Sequence, residues 1–186
     1  MRRKARRLYR RFAAARRGMA AIEFAMILPI LMVLFLGTFD GGRAIAIYMK
    51  VRSATYALDA ITNQYTTISS TVMSSILCAI TQMMAPYSST PAVITISQIT
   101  ISGSGVPTVS WSASQGGTAR TVGSSITIPT ALKVDNSYLI FAEVSYTFTP
   151  MYGYFSAGAI NFSDNLYVTP RSSTCIVYTP QTGTTC

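Results

Sequence analysis

The sequence predicts an α+β protein, in which an N-terminal transmembrane helix continues into an amphipathic helix and is followed by a small antiparallel β domain. Three observations predict this class. Residues 19–39 form an apolar run with a single charge, apolar residues then recur at helical spacing, and alternating β-type segments fill the remainder. We expect a basic leader (1–18), a transmembrane helix (19–39), an extracytoplasmic helical region (40–85) and a β-rich extracytoplasmic domain (86–186).

The basic residues of the chain are concentrated in its first 17 positions. Nine of the 15 lysines and arginines precede Gly18, and no acidic residue does; beyond that point six basic residues balance six acidic ones. A short basic block that ends at an apolar run is typical of a topology signal, which keeps its side of the membrane cytoplasmic. Because the remainder of the chain is neutral, we expect no nucleic-acid partner.

The apolar run is long enough to cross a bilayer. At the helical rise, residues 19–39 span about 30 Å, and no small-residue cleavage site of a secretory signal follows them. A plain, uncleaved signal anchor would satisfy these features but gives no reason for Glu23. A carboxylate in the bilayer centre costs about 2.5–3.5 kcal/mol, although the positive end of the helix dipole offsets part of this cost near the interface.

The residues around Glu23 carry a family resemblance. The stretch Gly-Met-Ala-Ala-Ile-Glu-Phe, residues 18–24, resembles a type IV prepilin processing site, and the longer stretch 16–44 is similar to the TadE-like pseudopilins of the bacterial tight-adherence (Tad/Flp) pilus system. A later block, residues 128–150, resembles the C-terminal part of the same proteins, with Phe148 where a tyrosine is common. The matching positions of the N-terminal pattern are Gly18, Glu23, Phe24, Ala25, Pro29, Gly37, Asp40, Gly42 and Arg43.

The resemblance implies an assembly role in a pilus machine. A prepilin peptidase would cut between Gly18 and Met19 at the cytoplasmic face, and Glu23, next to Phe24, would pair with the new N-terminal amine of a neighbouring subunit. Such a pair would set subunit register in the low dielectric of the membrane. The implied partners are the inner membrane, the peptidase, other pilin or pseudopilin subunits and the Tad assembly platform.

Within and after the apolar run, the sequence predicts three helical features. Pro29 cannot donate a backbone hydrogen bond and should kink the helix. Asp40, Gly42 and Arg43 mark the membrane exit. Beyond it, we expect a helix to about residue 65, a break near 66–71 and a second helix to about residue 85. The residues predicted to form the buried face of this helical region are Ile45, Tyr48, Met49, Arg52 (through its aliphatic stem), Tyr56, Ile61, Tyr65, Ile68, Val72, Ile76, Ile80 and Met83.

After Pro86 the pattern changes to that of six or seven short β-strands. A change of phase between the alternating pairs Ile94/Ile96 and Ile99/Ile101 predicts a bulge or a turn. Gly116 and Gly117 predict a hairpin turn between strands at 108–114 and 119–122. Further strands are predicted at 124–129, 137–150, 165–170 and 174–180. In the strand at 137–150, alternate residues from Ile140 to Phe148 should share one face, with Glu143 opposite and solvated or ion-paired.

Three cysteines lie in the extracytoplasmic part of the chain, where disulfides are permitted. Three pairings are possible, and we favour Cys175 with Cys186, which closes a short loop. In the chain-entropy model this loop would contribute about 3 kcal/mol. Cys78 lies in a helical pattern, where a free, buried thiol is common, and a pairing that involves Cys78 is the alternative.

The sequence does not predict an enzyme. It contains no histidine, which excludes catalytic triads with a histidine and His-bearing metal sites, and its external acids are scattered. We expect no cofactor, metal site or small-molecule substrate. The leading hypothesis is a minor pseudopilin that spans the bacterial inner membrane once, with the N-terminus cytoplasmic and the C-terminal domain periplasmic or in an extracellular pilus. The alternative is an unprocessed, single-span anchored envelope protein.

Overall fold

A computed structural model describes residues 17–151 and 158–179 of the chain. It contains one long apolar helix, a second helix and a small antiparallel sheet, which confirms the α+β class. The chain divides into two compact units, one that ends at Gly42 and one that begins at Arg43.

The first helix, α1 (Arg17–Thr62), runs without interruption through Pro29 and through the predicted membrane exit. Among the described residues, α1 is the one helix that is long and apolar enough to cross a membrane. Its most apolar segment has a mean hydropathy of 2.5, and no residue of that segment is buried. This supports a single-pass membrane protein. The kink at Pro29 stays a prediction.

The buried face of α1 is not the one that the sequence predicted. Ile47, Val51, Ala54 and Leu58 are almost fully buried, a spacing of four, three and four that also describes one helical face. The stripe that begins at Ile45 is largely exposed on the neighbouring face. The prediction failed because this segment carries two apolar stripes, and the sequence alone does not select which of them is buried.

A short break separates the two helices, as predicted. Strand β1 (Thr67–Ser69) occupies it, and helix α2 (Ser70–Gln82) follows, with the hydroxyl of Ser69 accepting a hydrogen bond from the Val72 amide at the helix N-terminus. The second helix ends slightly earlier than expected. Ile76 and Ile80 are buried as predicted, whereas Met83 is 37% exposed and Met73 and Leu77 complete the buried face.

Four strands form an antiparallel sheet in the order β3-β2-β4-β5. Their bounds are β2 (Ala92–Ile101), β3 (Pro107–Gln115), β4 (Ser137–Phe148) and β5 (Ile160–Val168). A register shift at Gln98/Ile99 confirms the predicted bulge. Because β2 stays in register with β4 across this point, the irregularity belongs to its pairing with β3.

The two faces of this sheet bury different clusters. One face carries Ile94, Ile96, Trp111 and the predicted row from Ile140 to Phe148, and it packs with the buried residues of α1 and α2. After the phase change, Ile99 and Ile101 lie on the opposite face in a smaller cluster with Ile128, Leu139 and Phe141. The phase change therefore marks a change of buried face as well as a bulge.

Two predicted strands are wrong. Residues 119–122 form a loop, because the Arg120 amide donates to the Ser112 hydroxyl (3.0 Å) and not to a neighbouring strand. Residues 124–129 make one isolated bridge, Ser125 with Thr108, although Ile128 is buried. The alternation in this segment therefore reflects side chains that cover the sheet, without strand pairing.

The last predicted strand forms, but outside the main sheet. Strand β6 (Val177–Thr179) pairs in parallel with β1, from Thr67 opposite Val177 to Ser69 opposite Thr179. The Trp111 indole nitrogen donates to the carbonyl of Ile176 (2.8 Å), and the Gln98 side-chain oxygen accepts from the Ile176 amide (2.7 Å). These bonds hold the chain immediately before β6.

Candidate functional site

The proposed cleavage site lies at the start of α1. Gly18 and Met19 are helical and lie among the first residues that the structure describes.

Glu23 follows one turn later, on a fully exposed part of the helix. Met19, Ile22 and Phe24 are 69%, 64% and 58% exposed, and Glu23 itself is exposed. If the chain began at Met19, the carboxylate would lie near the positive end of the helix dipole, which favours a negative charge. The structure thus places the acid on a surface that a neighbouring molecule can reach.

The predicted exit residues lie inside the helix, where the two compact units meet in sequence. A side chain added at Gly37, Gly41 or Gly42 would meet no other atom within 4 Å. Packing within this chain therefore does not require glycine there, although glycine costs about 1 kcal/mol relative to alanine in a helix interior. Arg43 lies 5.8 Å above the ring centre of Phe148, a cation–π contact of the kind that fixes a guanidinium against an aromatic face.

A neighbouring feature escaped the sequence prediction because its residues were assigned to the core. We call it the tyrosine–methionine face: Ile45, Tyr48, Met49 and Tyr56 are 44–63% exposed, with the Arg52 guanidinium 5.8 Å from the Tyr56 ring centre. The Tyr56 hydroxyl is the main group that raises the pKa of Arg52. The residue types could have indicated an exposed contact surface, since tyrosine, methionine and arginine are enriched at protein interfaces.

The cysteines differ in state. Cys78 is a free thiol and is exposed on α2, so the expectation that it is buried was wrong. Cys175 is disulfide-bonded and buried. Cys186 lies outside the described residues, and the Cys175–Cys186 pairing stays a prediction.

A buried polar cluster lies at the end of α1, beyond the membrane segment. The Asn63 side-chain amide donates to the Asp59 carboxylate (2.9 Å), and the Ser172 hydroxyl donates to the Asn63 carbonyl (3.2 Å). Burial raises the pKa of Asp59, while Asn63 and Arg171 partly oppose this shift. Because the folded state holds this proton more tightly than the unfolded state, the contribution of Asp59 to stability falls as pH rises from about 4 through the raised pKa.

Among the residues that the structure describes, no group of three or more metal-ligating side chains could hold a metal ion. The predicted site residues do not converge on one pocket either. They follow one another along α1, from Gly18 to Arg43. Such an arrangement suits contact with a neighbouring helix.

Comparison with known proteins agrees with this arrangement. Residues 18–57 match the model of the family of TadE-like proteins, whereas searches of curated proteins and of solved structures found no match to the chain. The family suggests a pilin-like protein associated with the Tad pilus. Residues 18–57 are therefore a TadE-like segment, consistent with a TadE-like protein of the Tad pilus system.

Proposed function

We propose that this chain is a minor pilin-like subunit of a Tad pilus machine, inserted in the inner membrane as a precursor and cut between Gly18 and Met19 by a prepilin peptidase. The observation that carries the proposal is the start of the family match at Gly18, the residue at which the basic block ends. Cleavage there would remove all nine leader charges and expose the amine of Met19.

The exposed helix supports an assembly role for the mature end. Its apolar side chains are not buried within the chain, so lipid or neighbouring helices must cover them. Glu23 is costly in that environment unless it is paired. We propose that its carboxylate pairs with the Met19 amine of an adjacent subunit and so fixes the axial register between subunits.

The orientation follows from the charge asymmetry. The arginine-rich leader stays in the cytoplasm under the positive-inside rule, and the unit that begins at Arg43 is then periplasmic or part of an extracellular pilus. Its partners in this proposal are the prepilin peptidase, other pilin or pseudopilin subunits and the Tad assembly platform.

The cleavage proposal predicts a new N-terminus at Met19. The full chain should be expressed in membranes with and without a prepilin peptidase, and its N-terminal sequence and intact mass determined. We expect loss of residues 1–18 only when the peptidase is present, and no loss in Gly18→Leu, because a bulky side chain obstructs the approach to the scissile bond. Gly42→Leu is the matched control on the same helix and should be cut normally. An intact leader in the presence of an active peptidase would favour the unprocessed anchor.

The role of Glu23 predicts a defect after cleavage. Glu23→Ala should be processed at the wild-type rate but should fail to crosslink to neighbouring subunits and should reduce pilus formation at least about tenfold, the effect of losing roughly 1.4 kcal/mol in association. Glu23→Asp, which retains the charge, should keep partial function. Normal pilus formation by Glu23→Ala would exclude the register role while leaving the cleavage proposal intact.

A further inference from the structure

A groove of about 380 Å³ lies on the sheet face opposite the helices. We call it the sheet groove. Its volume is at the lower end of the range of small-molecule sites, about 300–1,000 Å³. The strand registers place Thr95, Glu143 and Asn165 side by side on β2, β4 and β5. Its principal polar side chains are Thr95, Thr118, Arg120, Glu143, Ser163 and Asn165.

The loop after β3 builds one wall of the groove. Gly116 has a positive φ of 77°, and any side chain there would collide with the carbonyl oxygen of Ala92. The chain can therefore leave β3 close against the start of β2 only with glycine at this position. The Arg120 amide then bonds to the Ser112 hydroxyl, which fixes the loop over the sheet.

An ion pair holds Arg120 in place within the groove. Its Nε donates to one Glu143 carboxylate oxygen (3.1 Å), and its Nη2 contacts both oxygens (2.8 and 2.7 Å). The guanidinium also lies 5.3 Å above the Phe141 ring centre. Both side chains stay about one-third exposed. The site is thus organised before any ligand arrives, which reduces the entropy cost of binding.

The charge of this groove is balanced. Arg120 and Glu143 compensate each other, and Asp164 is opposite Val144, a residue of the helix-side core, in the strand register. Asp164 lines the groove, but residues directly opposite each other on neighbouring strands share a face, so its side chain is on the helix side with that of Val144. A small anion would have to compete with Glu143 for Arg120. The balance therefore favours a neutral ligand.

The remaining polar groups can both donate and accept hydrogen bonds. Thr95 is buried and its hydroxyl is already bonded to the Ser114 hydroxyl (2.9 Å). The exposed Thr118 and Ser163 hydroxyls and the Asn165 amide match a ligand with several adjacent hydroxyl groups. The Val93 side chain, which also lines the groove, offers an apolar surface for ring C–H groups. We propose that the sheet groove binds a neutral pyranose sugar, either free or as the terminal residue of a glycan.

The proposal is tested with the full chain in detergent micelles by saturation-transfer difference NMR. The probes are glucose, galactose, N-acetylglucosamine and their methyl glycosides, with N-acetylneuraminic acid as an anionic comparison. Inorganic sulfate, which has no proton to observe, is added as a competitor of the sugar signal. We expect saturation transfer to at least one neutral sugar, with a dissociation constant of about 1 mM for a ligand of this size. Binding of a methyl glycoside would indicate that a terminal glycan residue fits; binding of the free sugar alone would indicate a free ligand.

The matched variants are Asn165→Ala in the groove and Asn161→Ala on the same strand outside it. Asn165→Ala should weaken the sugar at least about tenfold, whereas Asn161→Ala should bind as the wild type does; both residues are exposed, so neither change should unfold the sheet. Arg120→Lys should also weaken binding, because lysine cannot make the bidentate contact. Preference for the anions, equal effects of the two asparagine variants, or no transfer to any neutral sugar would overturn the proposal. None of these outcomes bears on cleavage at Gly18.

Discussion

Trp111→Ala is expected to lower the free energy of unfolding by about 4 kcal/mol, within the range of about 3–5 kcal/mol for truncation of buried aromatic side chains. Trp111 is fully buried in the principal core, and its ring packs against Tyr178 at a centroid distance of 5.4 Å. The substitution also removes the donor for the Ile176 carbonyl. Since domains of this kind are stable by about 5–15 kcal/mol, this loss is a large fraction of the total stability. Circular dichroism during urea unfolding in detergent would measure the loss.

Two further variants separate the contributions of Trp111. Trp111→Phe retains most of the ring but not the hydrogen bond, and should lose about 1–3 kcal/mol through the unpaired carbonyl. Tyr56→Ala removes an aromatic side chain that is 48% exposed and should change the unfolding free energy by less than about 0.5 kcal/mol. A Trp111→Ala variant as stable as Tyr56→Ala would show that Trp111 does not hold the segment before β6.

Gly116→Ala is expected to destabilise the sheet by more than about 3 kcal/mol. Alanine at a φ of 77° costs about 1–2 kcal/mol by itself. The added methyl group would also collide with the Ala92 carbonyl oxygen, and neither backbone can yield without disturbing the pairing of β2 with β3 and β4. The melting temperature, followed by circular dichroism, should fall accordingly.

Gly123→Ala separates the cost of the left-handed backbone from the cost of the steric collision at Gly116. Gly123 has nearly the same φ, 79°, but a side chain there would meet no atom within 4 Å. We therefore expect a loss of only about 1–2 kcal/mol, that of the left-handed backbone alone. Equal losses in the two alanine variants would contradict the steric explanation.

Local sequence patterns predicted two kinds of element correctly. These are helices and strands that pair with segments nearby in the sequence, and those with one consistently apolar face. The apolar run around Glu23 predicted a helix because its length and composition leave no alternative. Alternation predicted β4 and placed Glu143 on the face opposite Val144, because alternate residues from Ile140 to Phe148 are buried against the helices. Solvation or an ion pair was expected for Glu143, and the structure shows the ion pair with Arg120. The predicted Gly116–Gly117 hairpin is wrong, because the chain bends there into a loop and not into a second strand. Glycine at position 116 has a steric cause instead.

The failures occurred where tertiary contacts select between equivalent patterns. Residues 45–62 carry apolar side chains on two faces, and only the sheet determines that Val51 and Leu58 are buried while Tyr56 is exposed. Likewise, alternation around Ile128 could not distinguish a paired strand from a covering loop. The parallel pairing of β1 with β6 joins residues about 110 positions apart, and no local signal specifies such a partner.

The predicted site residues are local in the sequence. Gly18, Glu23 and Arg43 lie in order along one helix, and the roles assigned to them rest on the family resemblance and stay predictions. The sheet groove, in contrast, combines side chains from β2, β4, β5 and a loop. Its Arg120–Glu143 pair follows from strand order, which the sequence did not predict.

The pairing of β6 with β1 has a consequence for the timing of biogenesis. Strand β1 and helix α2 leave the ribosome long before Val177 is available to pair with Thr67. Their final position thus awaits synthesis of the C-terminal segment, since contacts distant in sequence form late. A chain arrested midway through synthesis would lack the strand that closes the break between α1 and α2.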